Sequence, residues 1–195
     1  MKSRLIFCLL FAFTLAHTSL YAQEAKPDSY TDLQTGLKFP STIERLKFVS
    51  KADYGDVQLG VGIRYRSPEG LRIDAIIYNL GLKTIAADPA DPRVKEQVEE
   101  ALSGIKLAAE KGLLKDLKVI SNEVVPIAKG DAAPKAHKVL LSFTLAEEAR
   151  ESALYLFVYK DHFIKVRATW FPEEKKASRE DVAAFLTWLS AEMKK

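Results

Sequence analysis

The stretch Leu59-Gly60-Val61-Gly62-Ile63-Arg64-Tyr65-Arg66-Ser67-Pro68-Glu69-Gly70-Leu71-Arg72-Ile73-Asp74-Ala75-Ile76-Ile77 decides the fold class. Leu59, Val61, Ile63 and Tyr65 alternate with Gly60, Gly62, Arg64 and Arg66, the period of a strand with one buried face. Ser67-Pro68-Glu69-Gly70 fits a tight turn, because Pro68 presets φ at the second position and Gly70 can take positive φ. Leu71, Ile73, Ala75 and Ile77 then resume the apolar face. With a three-residue loop, Ser67 faces Leu71, Arg66 faces Arg72, Arg64 faces Asp74 and Ile63 faces Ala75. That register gathers the apolar residues and offers one Arg–Asp cross-strand pair on the other face. Gly60-Val61-Gly62 lies inside a strand and opens no helix, so it is not a dinucleotide loop. It predicts a bend, a bulge or close contact with another backbone.

Outward from the hairpin, the sequence predicts strands, a helix, strands and a second helix. Residues 45–54 read as a strand closed by the turn Tyr54-Gly55-Asp56, and structure is expected to start near Gly36-Leu37-Lys38-Phe39-Pro40. Downstream, Asp91 and Pro92 are the N-cap and first residue of a helix ending at Gly112. Val94, Val98, Leu102, Ile105 and Ala109 form its apolar stripe. Gly104, in mid-helix, is expected to pack closely on the sheet. Residues 117–127 and 135–145 read as strands, residues 146–152 as a charged turn. Residues 153–159 and 163–170 form a hairpin around Lys160-Asp161-His162, and being apolar on both faces they belong at the centre of a sheet. Ser178, with Asp181 in the capping-box position, is expected to cap a last helix that buries Val182, Phe185, Leu186, Leu189 and Met193. This order gives an α+β fold: an antiparallel sheet with two main amphipathic helices.

The length of 195 residues suits one domain after a leader. Lys2 and Arg4 precede the apolar run Leu5–Ala16, which is shorter than the roughly 20 residues a spanning helix needs. Leu20-Tyr21-Ala22 before Gln23 reads as a cleavage site. Residues 1–22 are therefore a secretory signal peptide, 23–34 a flexible polar leader and 35–195 a single α+β domain. Cleavage would lower the formal charge of +3 by two and remove the only cysteine, Cys8. His17 would leave too, so His137 and His162 would be the remaining histidines. Such a chain has no thiolate chemistry and no clustered basic excess, which argues against a nucleic-acid partner. No transmembrane segment is expected in the mature chain, and the address is periplasmic or secreted.

The arrangement resembles the PsbP-like fold, seen in the extrinsic photosystem II subunit and in various exported bacterial proteins. Phe39-Pro40 stands before the first strands, as a Phe/Tyr-Pro pair does in that family. A hairpin leads to the middle helix from Pro92, and the chain closes with strand, hairpin and amphipathic helix from Tyr155 to Met193. The likeness spans most of residues 35–193. The chain lacks the Ser-Phe ending of many such domains, and its first strands are more widely spaced. The resemblance carries no functional residue to a position here. It implies accessory or binding roles, and fold alone does not fix function.

The residues offer few catalytic constellations. No metal or cofactor is expected: no H-E-x-x-H, EF-hand spacing, G-x-S-x-G elbow or phosphate loop is present. Asp88 and Asp91, next to Pro89 and Pro92, read as turn and cap. His137, at a strand start, and His162, in a hairpin loop, read as solvated residues. Arg64, Arg66 and Arg72 project from one face of the hairpin, and guanidinium forks suit carboxylates or phosphates, which makes them the candidate ligand-binding residues. Lys165 and Arg167 offer a second cationic pair, beside Tyr155 and Phe157. Trp170 and Phe171 read as the edge of the core. The reading is a non-catalytic exported domain that binds an envelope protein or a small ligand. The alternatives are a small hydrolase with dispersed catalytic residues, built on His137 or His162, and a carrier of a small apolar ligand in a cavity between sheet and helix.

Overall fold

The alternation of apolar and polar residues resolves into one large sheet in a computed structural model, which describes residues 29–130 and 133–195. Its strands are β1 (Tyr30–Thr31), β2 (Lys38–Phe39), β3 (Thr42–Ile43), β4 (Leu46–Asp53), β5 (Val61–Arg66) and β6 (Arg72–Tyr78). Helix α1 (Pro92–Glu110) follows, then β7 (Lys115–Pro126), β8 (Lys135–Leu145), β9 (Glu148–Tyr159) and β10 (His162–Trp170). Helix α2 (Lys175–Glu192) closes the chain after a 3-10 turn over Pro172–Glu174. Strands β1 and β2 form a small ribbon, and the rest form an antiparallel sheet in the order β3-β4-β5-β6-β10-β9-β8-β7.

The β5–β6 hairpin has the register the sequence predicts: Arg66 faces Arg72, Arg64 faces Asp74 and Ile63 faces Ala75. The Ser67 N–H donates to the Leu71 carbonyl (3.0 Å), and Gly70 adopts φ +88°. The two apolar-faced strands β9 and β10 do lie inside the sheet. Gly60, at φ +75°, passes so close to β6 that a Cβ would sit 1.7 Å from the Ile77 carbonyl oxygen. Gly62 leaves room for the Tyr54 ring.

Each sheet face carries one helix. Helix α2 seats Phe185, Leu186 and Leu189 on Tyr65, Ile73, Val166 and their neighbours. Burying each such side chain stabilises the fold by about 1.5–3 kcal/mol. Phe39 of β2 stacks near Trp188 of the same helix (5.4 Å), and the Pro40 carbonyl accepts the Tyr65 hydroxyl (2.5 Å). On the opposite face, Val94, Val98 and Ile105 of α1 cover Val139, Leu141, Leu154 and Leu156. Asp91 caps α1 by accepting from the Arg93 N–H (2.8 Å), with Pro92 in the first turn as the sequence predicts.

Several expectations change. The expected signal peptide over residues 1–22, and residues 23–28, lie outside the described residues. Order begins before residue 35: Tyr30–Thr31 pairs with Lys38–Phe39, and buried Asp32 accepts from the Thr35 N–H and hydroxyl. The charged segment 146–152 is mostly strand, because Ala146 and Glu147 alone make the turn at positive φ. Lys160 and Asp161 likewise make a two-residue turn, which places His162 in β10, opposite Tyr159. Ser178 caps nothing. Pro172 starts the helical path six residues earlier, Ser178 is buried inside α2, and Asp181 instead pairs with Arg45 (3.0 Å). Gly104 does not pack on the sheet, since a Cβ there would meet nothing within 4 Å.

Candidate functional site

On the α1 side of the sheet, strand register assembles rows of polar side chains. Successive side chains alternate faces, so Arg64 and Arg66 of β5 and Arg72 and Asp74 of β6 share one face. Asp74 faces Arg64 on one side and Arg167 of β10 on the other. In the next row Arg66 faces Arg72, Arg72 faces Thr169, and Thr169 faces Ser152 of β9. In the row on the other side Lys165 lies opposite Ile76.

The three sequence-predicted arginines therefore stand together, and the cationic pair Lys165 and Arg167 joins them. That pair does not lie beside Tyr155 and Phe157. Lys165 faces Leu156 and Arg167 faces Leu154, so both project to the α1 side while Tyr155 and Phe157 point to the α2 side.

One carboxylate organises the centre. Arg64 Nε donates to Asp74 Oδ1 and Arg72 Nε to Asp74 Oδ2, each at 2.6 Å. Arg167 Nε donates to Ser152 Oγ (3.2 Å), and the Phe143 ring lies under its guanidinium. Ser152 in turn donates to the Ala168 carbonyl (3.0 Å). The Lys165 ammonium sits over the Tyr78 ring (5.2 Å), whose hydroxyl donates to Gln97 of α1, and Gln97 donates to Glu100 (2.8 Å). Burial lowers Lys165 to about 8, with Glu100 acting in the opposite direction, and lowers Arg167 to about 10. Both remain cations at neutral pH.

Arg64, Arg66, Arg72, Lys165 and Arg167 thus share this face with Lys47, which lies opposite Arg66, and with the carboxylates of Asp74 and Glu100. Arg66 and Arg72 meet as directly opposed like charges, an arrangement that costs stability unless something negative lies between them. Arg66 is exposed and makes no ion pair among the described residues.

The histidines serve elsewhere. His162 is buried, against the expectation of a solvated turn residue. Its Nδ1 meets the Lys160 carbonyl (2.7 Å), and its Nε2 meets the side chains of Gln34 and Asn79. It ties the β9–β10 turn to the N-terminal segment. His137 is half-buried, and its Nε2 donates to the Pro89 carbonyl (2.7 Å), holding the loop that enters α1. Neither ring is hydrogen-bonded to a hydroxyl side chain among the described residues. No group of three or more His, Cys, Asp or Glu with metal-binding geometry occurs among them. No described helix is long and apolar enough to cross a membrane. Trp170 is buried as expected, while half-buried Phe171 carries the Arg150 guanidinium 3.6 Å above its ring.

Sequence reading did not find the polar groups that Arg167 and Arg72 meet across the sheet, Ser152 and Thr169. Nor did it find Tyr54, which lies over Gly62 near Arg64, Arg72 and Asp74. Their only signal was strand parity, which becomes usable once every hairpin loop length is known.

No protein-family model and no curated protein matches the chain in sequence. Solved structures do. The solution structure of cyanobacterial PsbP (CyanoP) from Synechocystis sp. PCC 6803 is similar over 86% of this chain and 93% of that one, with a TM-score of 0.51 at 11% identity. A crystal structure of a Pseudomonas aeruginosa protein of unknown function is similar over 80% of this chain and 92% of that one, with a TM-score of 0.35 at 13% identity. At 11% identity the likeness to the cyanobacterial protein is one of fold, and it agrees with the element order and the two-helix sheet described above: the chain has a PsbP-like α+β fold.

Proposed function

We propose that the protein is an exported, non-catalytic accessory domain that recognises an anionic group, a carboxylate or a phosphate, on the arginine-lined sheet face. The observation that carries this reading is the opposed pair Arg66 and Arg72. Arg72 already shares Asp74 with Arg64, so the pair has no carboxylate of its own among the described residues. Planar guanidinium forks hold carboxylate and phosphate oxygens in bidentate fashion. The Tyr54 hydroxyl and the Thr169 hydroxyl supply further polar atoms at the same face. The anchoring of His137 and His162 to backbone and amide groups removes the simplest support for a hydrolase.

The test is titration calorimetry of the purified protein with citrate at low salt. Saturable binding is expected, weakened about tenfold in Arg66→Ala and in Arg72→Ala, since a charge-assisted hydrogen bond contributes about 1.5–3 kcal/mol. Binding is also expected to weaken as pH rises through about 8, where Lys165 loses its proton. Citrate heats unchanged by both substitutions would refute the reading.

The export half of the reading rests on Lys2, Arg4, the apolar run Leu5–Ala16 and the small residue Ala22. N-terminal sequencing of the protein recovered from a bacterial periplasm is expected to begin at Gln23. A cytoplasmic protein that keeps Met1 would overturn that half and leave the anion site untouched.

A further inference from the structure

The opposite face of the sheet has a second concavity. Helix α2 packs against β3, β5 and β10 but leaves a wedge toward β7, β8 and β9. The cleft there has a volume of about 400 Å³, inside the range of sites for small molecules. Its floor is Leu140 of β8 with Ala153 and Tyr155 of β9, and its wall is Val182 and Leu186 of α2. Those positions on α2 follow from helical spacing, because 179, 182, 183 and 186 lie along one stripe.

Three polar groups at this cleft await a partner. Tyr155 is 9% exposed and lines the cleft, yet its hydroxyl makes no hydrogen bond among the described residues. Burial pushes its pKa upward, so it is a protonated donor at neutral pH. The Trp170 indole N–H, 2% exposed in the same lining, also has no hydrogen-bond partner. An unmet buried donor costs roughly 1–3 kcal/mol, a cost that a ligand oxygen would remove. Arg179 stands at the exposed rim, close enough to Tyr155 to act on its ionisation, and makes no ion pair among the described residues. The other cation of the lining, Lys138, is already paired with Glu123 (3.2 Å). An apolar floor, the buried Trp170 donor, the solvent-reachable Tyr155 hydroxyl and an unengaged guanidinium describe a molecule with a greasy body and an acidic head.

We propose that this cleft binds a small amphipathic carboxylic acid, its apolar body against Leu140, Ala153 and Leu186 and its carboxylate between the Tyr155 hydroxyl and the Arg179 guanidinium. This site is on the α2 side of the sheet and is independent of the arginine face. The carboxylate would accept from Tyr155 and form a charge-assisted pair with Arg179, while the chain or ring displaces water from the wedge.

Decanoate below its micelle concentration is the probe, titrated calorimetrically into the purified protein with decanol as comparator. One saturable site is expected for decanoate, weakened about tenfold in Arg179→Gln. Ala183 is exposed on α2 beside the cleft, so Ala183→Trp fills the wedge without disturbing the core and is expected to abolish binding. Arg64→Ala is expected to leave decanoate binding unchanged, which separates this site from the citrate site. No saturable heat, or binding retained in Ala183→Trp, overturns the proposal. Decanol binding as tightly as decanoate overturns the acid assignment.

Discussion

Replacing Gly60 by alanine is expected to destabilise the protein by at least about 3 kcal/mol. Two effects combine. Gly60 has φ +75°, a region that costs a residue with a Cβ of the order of 1–3 kcal/mol. The new methyl group would also lie 1.7 Å from the Ile77 carbonyl oxygen and 2.9 Å from Tyr78 Cα. Both atoms belong to the backbone of β6, which is hydrogen-bonded to β5 and β10 and cannot retreat without breaking register. Gly55 provides the control. It has nearly the same φ, +77°, but nothing lies within 4 Å of its Cβ position. Gly55→Ala should therefore show the conformational cost alone, about 1–2 kcal/mol. Urea unfolding of the two variants reads the difference, which isolates the close approach of the two backbones. Equal losses in both variants would mean that Gly60 is needed only for its φ. Since small domains hold only about 5–15 kcal/mol of net stability, the Gly60 variant is expected to be visibly compromised.

Local chemistry made the first half of the fold legible. A proline at the second turn position and a glycine after it set the β5–β6 loop length, and loop length sets register. Asp91 and Pro92 are read correctly because cap and first-turn chemistry sit side by side in the sequence. The C-terminal half shows where local chemistry is degenerate. Ser178 and Asp181 have the form of a cap, but a buried helix can carry the same residues. The true partner of Asp181 is Arg45, 136 positions away. The β9–β10 hairpin fails by one residue with large consequences. A three-residue loop would set Lys165 opposite Phe157; the two-residue turn at Lys160-Asp161 sets it opposite Leu156. That shift moves Lys165 and Arg167 to the other face of the sheet, where they meet Arg64 and Arg72 instead of the aromatic residues under α2. The turn residues both have positive φ without being glycine, so no sequence signal marked them. The hydrophobic cleft was foreseeable only as a possibility of layer architecture, because it depends on how far α2 extends across the sheet.

Asp74→Asn is expected to weaken the fold and strengthen the anion site at the same time. The carboxylate accepts two short hydrogen bonds, from Arg64 Nε and Arg72 Nε, and lies in register with Arg167. Removing its charge leaves three guanidinium groups facing a neutral amide. Losing one partner of a fully buried pair costs about 3–5 kcal/mol. These side chains are only partly buried, with 21% of Asp74 and 41% of Arg72 exposed, so solvent screening reduces the expected loss to about 2 kcal/mol. An anion that binds the folded state returns stability as RT ln(1 + [L]/Kd). Citrate should therefore raise the melting temperature of the variant more steeply than that of the parent, with binding tightened about tenfold by the missing internal competitor. Raising sodium chloride should recover part of the loss by screening alone, but without saturation. A second substitution, Arg72→Ala in the Asp74→Asn background, should recover stability and lose the citrate response together, because both arise from the same crowded charge. If the face were merely a solvated surface, Asp74→Asn would lower stability while citrate acted no differently from an equal ionic strength of chloride. The sign of the citrate response, not the size of the stability loss, is thus what distinguishes a binding face from a decorative one.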